Sequence, residues 1–161
     1  MSLFEDDRYT WRETYFVYFF EKSRPSRTQM EKFLKELGSR YRVHDVRTDD
    51  DGRFESATVL APDDFSGMDI TYVTGDEVRE QLDEMLEEIG KATLNVGQVD
   101  KLKKIAQCDA RFDVYHFEQV GFDDDFEGDE MLDPGALLIV LERLAKLCDG
   151  VGFDPQTGTL M

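Results

Sequence analysis

The apolar positions of this chain fall into short runs with two rhythms, one of strands and one of helices. Residues Tyr15-Phe16-Val17-Tyr18-Phe19-Phe20 are continuously apolar, the pattern of a strand buried on both faces. The turn Ser23-Arg24-Pro25 stops that run. Ser26 and Gln29 then have the spacing of a capping box, and Met30, Phe33, Leu34 and Leu37 follow at helical intervals. Gly38 suits the left-handed residue that closes a helix. Residues 41–47 and 53–61 read as two strands of a hairpin, with Asp51-Gly52 predicting a type I′ turn.

The same reading continues through the second half. Residues 68–73 alternate as a strand, and Thr74 with Glu77 predicts a second capping box. The helix behind it carries Val78, Leu82, Met85, Leu86 and Ile89 on one face and stops at Gly90. Residues 91–97 fit neither rhythm. Residues 99–107 predict a shorter helix around Leu102, Ile105 and Ala106, and residues 112–117 a strand. After an acidic loop at 121–132, Asp133 and Pro134 supply the N-cap and first turn of an apolar helix with Leu137, Leu138, Leu141, Leu144 and Leu147. That helix ends near Asp149-Gly150, and residues 151–154 and 159–161 predict a terminal hairpin.

Strand, helix, strand, strand therefore occurs twice, at 14–61 and 111–161, an order that resembles half of a ferredoxin-like unit. The fold expected is α+β, a largely antiparallel sheet with helices packed on one face. A length of 161 residues predicts a single domain over 1–161, with 1–13 as a polar leader. The hydrophobic share of 40%, with twelve Phe and six Tyr, is enough for a packed core despite a net charge of −17.

The charge is lopsided. Residues 1–50 carry ten basic and ten acidic side chains, so the whole deficit lies beyond residue 50. Within 8–47 there are ten bases against five acids, a positive island that includes Lys22, Arg24, Arg27, Lys32, Lys35, Arg40, Arg42 and Arg47. The helix at 76–88 is the opposite, with seven acids and one base, Arg79. Its carboxylates repeat at i,i+4, each like-charged pair costing roughly 0.2–0.5 kcal/mol, and Glu87 and Glu88 sit at the unfavourable end of the helix dipole. Helix stability does not explain that face; hydration of a salt-adapted surface or a basic partner does.

Candidate chemistry is sparse. Asp123, Asp125, Glu127 and Gly128 match positions 1, 3, 5 and 6 of a calcium-binding loop, making the three carboxylates the candidate ligands for calcium or magnesium. Position 12 is Pro134, which cannot supply the closing carboxylate. His44 and His116 have no spaced partner histidine, and Cys108 and Cys148 form neither a metal motif nor a disulfide framework. Nucleophile-elbow, phosphate-loop and dinucleotide fingerprints are missing. No resident cofactor is expected apart from an ion at the acidic loop. Net negative charge argues against nucleic acid, and no apolar run predicts a membrane span. With no signal-peptide pattern at the N-terminus, a cytoplasmic location is the expectation.

The function these features predict is that of an acidic cytoplasmic binding or regulatory protein. Glu80, Asp83, Glu84 and Glu87 would contact a basic protein, as an immunity- or antitoxin-like inhibitor does. The rival expectation is a metal-binding protein or metal-dependent enzyme built on Asp123, Asp125 and Glu127.

Overall fold

The computed structural model describes residues 3–89, 96–119 and 135–160. Among them, seven strands form one antiparallel sheet: β1 (Tyr9–Phe19), β2 (Arg42–Thr48), β3 (Phe54–Ala61), β4 (Ser66–Thr74), β5 (Ala110–Gln119), β6 (Val151–Asp154) and β7 (Thr159–Leu160). Their order across the sheet is β2-β3-β4-β5-β1-β6-β7. Four helices accompany it: α1 (Arg27–Glu36), α2 (Asp76–Ile89), α3 (Val96–Ile105) and α4 (Gly135–Leu147). The α+β class follows directly.

Local chemistry explains most boundaries. At α1, the Gln29 amide donates to Ser26 Oγ at 3.2 Å, and the Ser26 amide donates to the Gln29 side chain at 2.9 Å, so the capping box is complete. Gly38 takes the left-handed φ of +93° that ends the helix. The β2–β3 turn differs from its prediction. Gly52 has φ +78°, but Asp51 does not share a positive φ, so the turn is not type I′. Asp49 organises it instead: its Oδ1 accepts from the amides of Asp51 and Arg53, both at 2.9 Å, and Gly52 N–H donates to Asp49 C=O. A side-chain cap that satisfies two turn amides favours the longer loop with a left-handed glycine. The second capping box also differs. Thr74 is the last residue of β4, and its hydroxyl donates to Asp109 C=O, leaving Gly75 at φ +115° to begin α2.

Alternation along β1 divides the core. Tyr15, Val17 and Phe19 face one side and pack with Phe112, Val114 and Ile70, under Met30, Phe33 and Leu34 of α1 and Leu137, Leu141 and Leu144 of α4. Phe19 stacks on Phe112 with ring centroids 4.5 Å apart. Tyr18 faces the other side, where Val78 and Leu82 of α2 and Ile105 of α3 close over Val151 and Phe153. The expectation of helices on one face thus holds for α1 and α4 only. β1 is apolar at consecutive positions because both of its faces are covered.

The two expected repeats also differ in space. β5, α4 and β6 make a split β-α-β around β1, whereas β3, β4 and β5 lie between β1 and β2. The polar leader contributes a 3₁₀ turn at Leu3–Glu5 and the first residues of β1. Four expectations lie outside the described residues: the Gly90 stop, the 121–132 loop with Asp123, Asp125 and Glu127, the Asp133-Pro134 cap, and Met161.

Candidate functional site

α2 is amphipathic, and its two faces do different things. Val78 and Leu82 are fully buried against the sheet, and Met85 and Leu86 are half-buried beside them. Asp76, Glu77, Glu80, Asp83, Glu84, Glu87 and Glu88 are all exposed. Among the described ion pairs, the one that reaches these acids is Arg79 with Asp83, at 3.5 Å. Arg79 is shared: it also donates to Ala106 C=O at 2.7 Å, fastening α2 to the end of α3.

The basic island does not neutralise this helix. α1 lies across the sheet from α2, and two of the island's arginines are engaged nearby. Arg24 sits 3.0 Å from Asp49 and 3.7 Å over the Tyr72 ring, and Arg27 pairs with Glu31 at 2.8 Å. Glu80, Asp83, Glu84 and Glu87 share one exposed helix face, as their spacing predicted, and among the described ion pairs only Asp83 of the four is paired, with Arg79. Beside it runs a groove of about 530 Å³, with Met85, Phe153 and Pro155 next to Glu84, Glu87 and Glu88. Carboxylates rimming an apolar strip suit an amphipathic cationic segment.

On the same side of the sheet, polar residues continue under and beyond α2. Arg111 Nε lies 2.6 Å from Asp113 Oδ1, and both side chains are more than nine-tenths buried. The Arg111 guanidinium also donates to Gln81 of α2 and lies 4.6 Å over the Phe16 ring. Tyr115 donates to Asp113 at 3.2 Å. Burial pushes the Asp113 carboxyl above its ordinary range, against the pull of Arg111 and the Tyr115 hydroxyl.

One strand pair further on, Tyr115 lies opposite Asp69, and Asp69 lies opposite Thr58. Asp69 is 6% exposed and accepts from the Thr58 hydroxyl at 2.7 Å and the Leu3 amide at 3.0 Å. These residues open into a recess of about 210 Å³ whose floor is Ser56, Thr58, Asp69 and Thr71 and whose walls include Asp45, Arg47 and Glu5. A bulge in β2 shapes one wall: pairing shifts between His44 and Arg47, and Asp45 takes φ +50°. Sequence reasoning missed this recess. Its only trace there is polar residues at alternate positions, 56 and 58 in one strand and 69 and 71 in the next.

The histidines separate. His44 is exposed on β2; His116 is buried, with Nδ1 2.8 Å from Glu13 Oε1. Among the described residues, His116 Nε2 and Ser66 Oγ are buried polar atoms without a hydrogen-bond partner. Both cysteines are buried thiols; burial raises Cys108 to about 11 and Cys148 to about 12, which removes them as nucleophiles at neutral pH.

Among the described residues, no three His, Cys, Asp or Glu side chains converge as metal ligands. The candidate ligands Asp123, Asp125 and Glu127 lie outside those residues. No described helix is long and apolar enough to cross a membrane. Comparison with known proteins adds no family: no family model, curated protein or solved structure matches the chain.

Proposed function

We propose that this chain is a binding or regulatory protein that receives a basic protein partner on α2 and in the groove beside it. The observation that carries the reading is the exposed acid row of α2, in which a single described ion pair, Arg79 with Asp83, offsets seven carboxylates, set across the sheet from α1. A row of like charges costs helix stability, so its retention calls for a compensating use. Pre-placed carboxylates accelerate encounter with a cationic surface and reject acidic competitors. Half-buried Met85 and exposed Pro155, beside the buried Phe153, supply the dry contact that charge alone lacks. An inhibitor that covers a basic target is one concrete form, and two reduced cysteines suit a cytoplasmic setting.

The test is affinity capture from an extract of the protein's own cells, using the wild-type chain and a Glu80→Lys/Glu84→Lys/Glu87→Lys variant. The wild type is expected to retain a basic protein that salt elutes, and the variant to lose it while melting normally. Equal retention by both would remove α2 as the interface.

A further inference from the structure

We propose that Trp11 extends the α2 interface onto β1 by stacking against an arginine of the basic partner, an inference that rests on the reading of α2 above. Among the described residues two aromatic side chains stand exposed, Trp11 at 49% and Phe4 at 57%. Both flank Phe117. Trp11 lies opposite it in the sheet, and the Phe4 ring meets it edge-on with centroids 4.8 Å apart. Phe117 alternates with Tyr115, Asp113 and Arg111 of β5, so the two exposed rings stand on the side of the sheet that carries α2.

Position and chemistry specify the guest. β1 connects Trp11 to the groove beside α2: Phe16 lies opposite Phe153, which lines that groove, and Trp11 follows five residues away along the same strand. That separation is about 16 Å, the length of about three helical turns. The indole Nε1 donates to Thr14 Oγ1 at 3.1 Å, so the ring is already oriented and little ordering remains when a partner arrives. Tryptophan is the best aromatic receptor for a cation, and the planar guanidinium of arginine stacks on its face. The bases closest to Trp11 along the chain are engaged, Arg12 with Glu118 at 3.1 Å and Arg8 with Asp6 at 2.8 Å. An amphipathic segment whose apolar side meets Met85 and Pro155, and whose cations meet Glu84, Glu87 and Glu88, therefore reaches Trp11 with its next arginine. Trp and Arg are also the side chains that dominate binding energy at protein interfaces.

Trp11 is the only tryptophan of the chain, so its emission reports this site alone. The probe is a synthetic tryptophan-free peptide with leucine and arginine at helical spacing, titrated into the full chain; its counterpart carries glutamate in place of arginine. The arginine peptide should shift Trp11 emission saturably to the blue and shield the ring from acrylamide, and the glutamate peptide should do neither. Trp11→Ala should weaken binding of the arginine peptide by about tenfold, read by calorimetry, and Trp11→Phe by less. Trp11 is exposed, so both variants should keep the wild-type melting temperature. No saturable binding, binding with unchanged emission, an equal shift from the glutamate peptide, or full affinity in Trp11→Ala would each overturn the proposal. The Glu80→Lys/Glu84→Lys/Glu87→Lys variant separates the two readings. An emission shift at wild-type affinity in that variant would remove α2 and leave Trp11, whereas binding to the wild type with unchanged emission would remove Trp11 and leave α2.

Discussion

Arg111 shows what a charge requires inside this protein. Its guanidinium donates to Asp113 and Gln81 and lies near two aromatic rings, so the buried charge is paired and packed. Arg111→Met should leave Asp113 buried without its cation and cost about 3–5 kcal/mol in urea unfolding. Arg111→Met combined with Asp113→Leu should recover most of that loss, because the pair as a unit competes with well-packed apolar groups. A double variant no more stable than the single would show that the pair is not coupled. The sequence offered Asp113 as a polar position in the strand predicted at 112–117 and left Arg111 just before it, whereas β5 begins at Ala110. The alternation of β5 puts both on one face, and the placement of that face under α2 buries them together. Asp69 is the same case: its burial depends on a turn at Leu3 that is distant in sequence.

Elements were legible where their signals are local. The α1 cap, its Gly38 stop and the apolar faces of α1 and α2 depend on residues within four positions of one another, and the sequence located them. The Asp51-Gly52 turn lay within reach, but its type depends on the Asp49 side chain, which the dipeptide does not reveal. The division of helices between two faces was less accessible, since it depends on which strands neighbour β1. On α2 the candidate contacts were legible because charge at i,i+4 needs no tertiary information. Their cost is measurable. Glu84→Lys replaces like-charged neighbours at Glu80 and Glu88 with opposite ones and should stabilise the chain by a few tenths of a kcal/mol per pair, read as a higher melting temperature. A lower melting temperature would mean that the carboxylate row is structural.

At the scale of the molecule, the imbalance in the sequence becomes a spatial polarity. The sheet separates α1, with three bases against two acids, from the acidic α2, and in the island Arg24 pairs with Asp49 and Arg27 with Glu31. α3 shares the side of α2 and carries Lys101, Lys103 and Lys104, so the negative patch is the outer surface of α2 itself, and encounter with a basic partner should depend on salt in a way set by that surface. The most direct measurement is the association rate of the captured partner from low to high salt, for wild type, for the α2 reversal at Glu80, Glu84 and Glu87, and for Lys32→Glu/Lys35→Glu on α1. The account predicts a steep salt-dependent fall for wild type and the α1 variant, with a slow and nearly flat rate for the α2 variant. A fast, salt-sensitive rate retained by the α2 variant would contradict it.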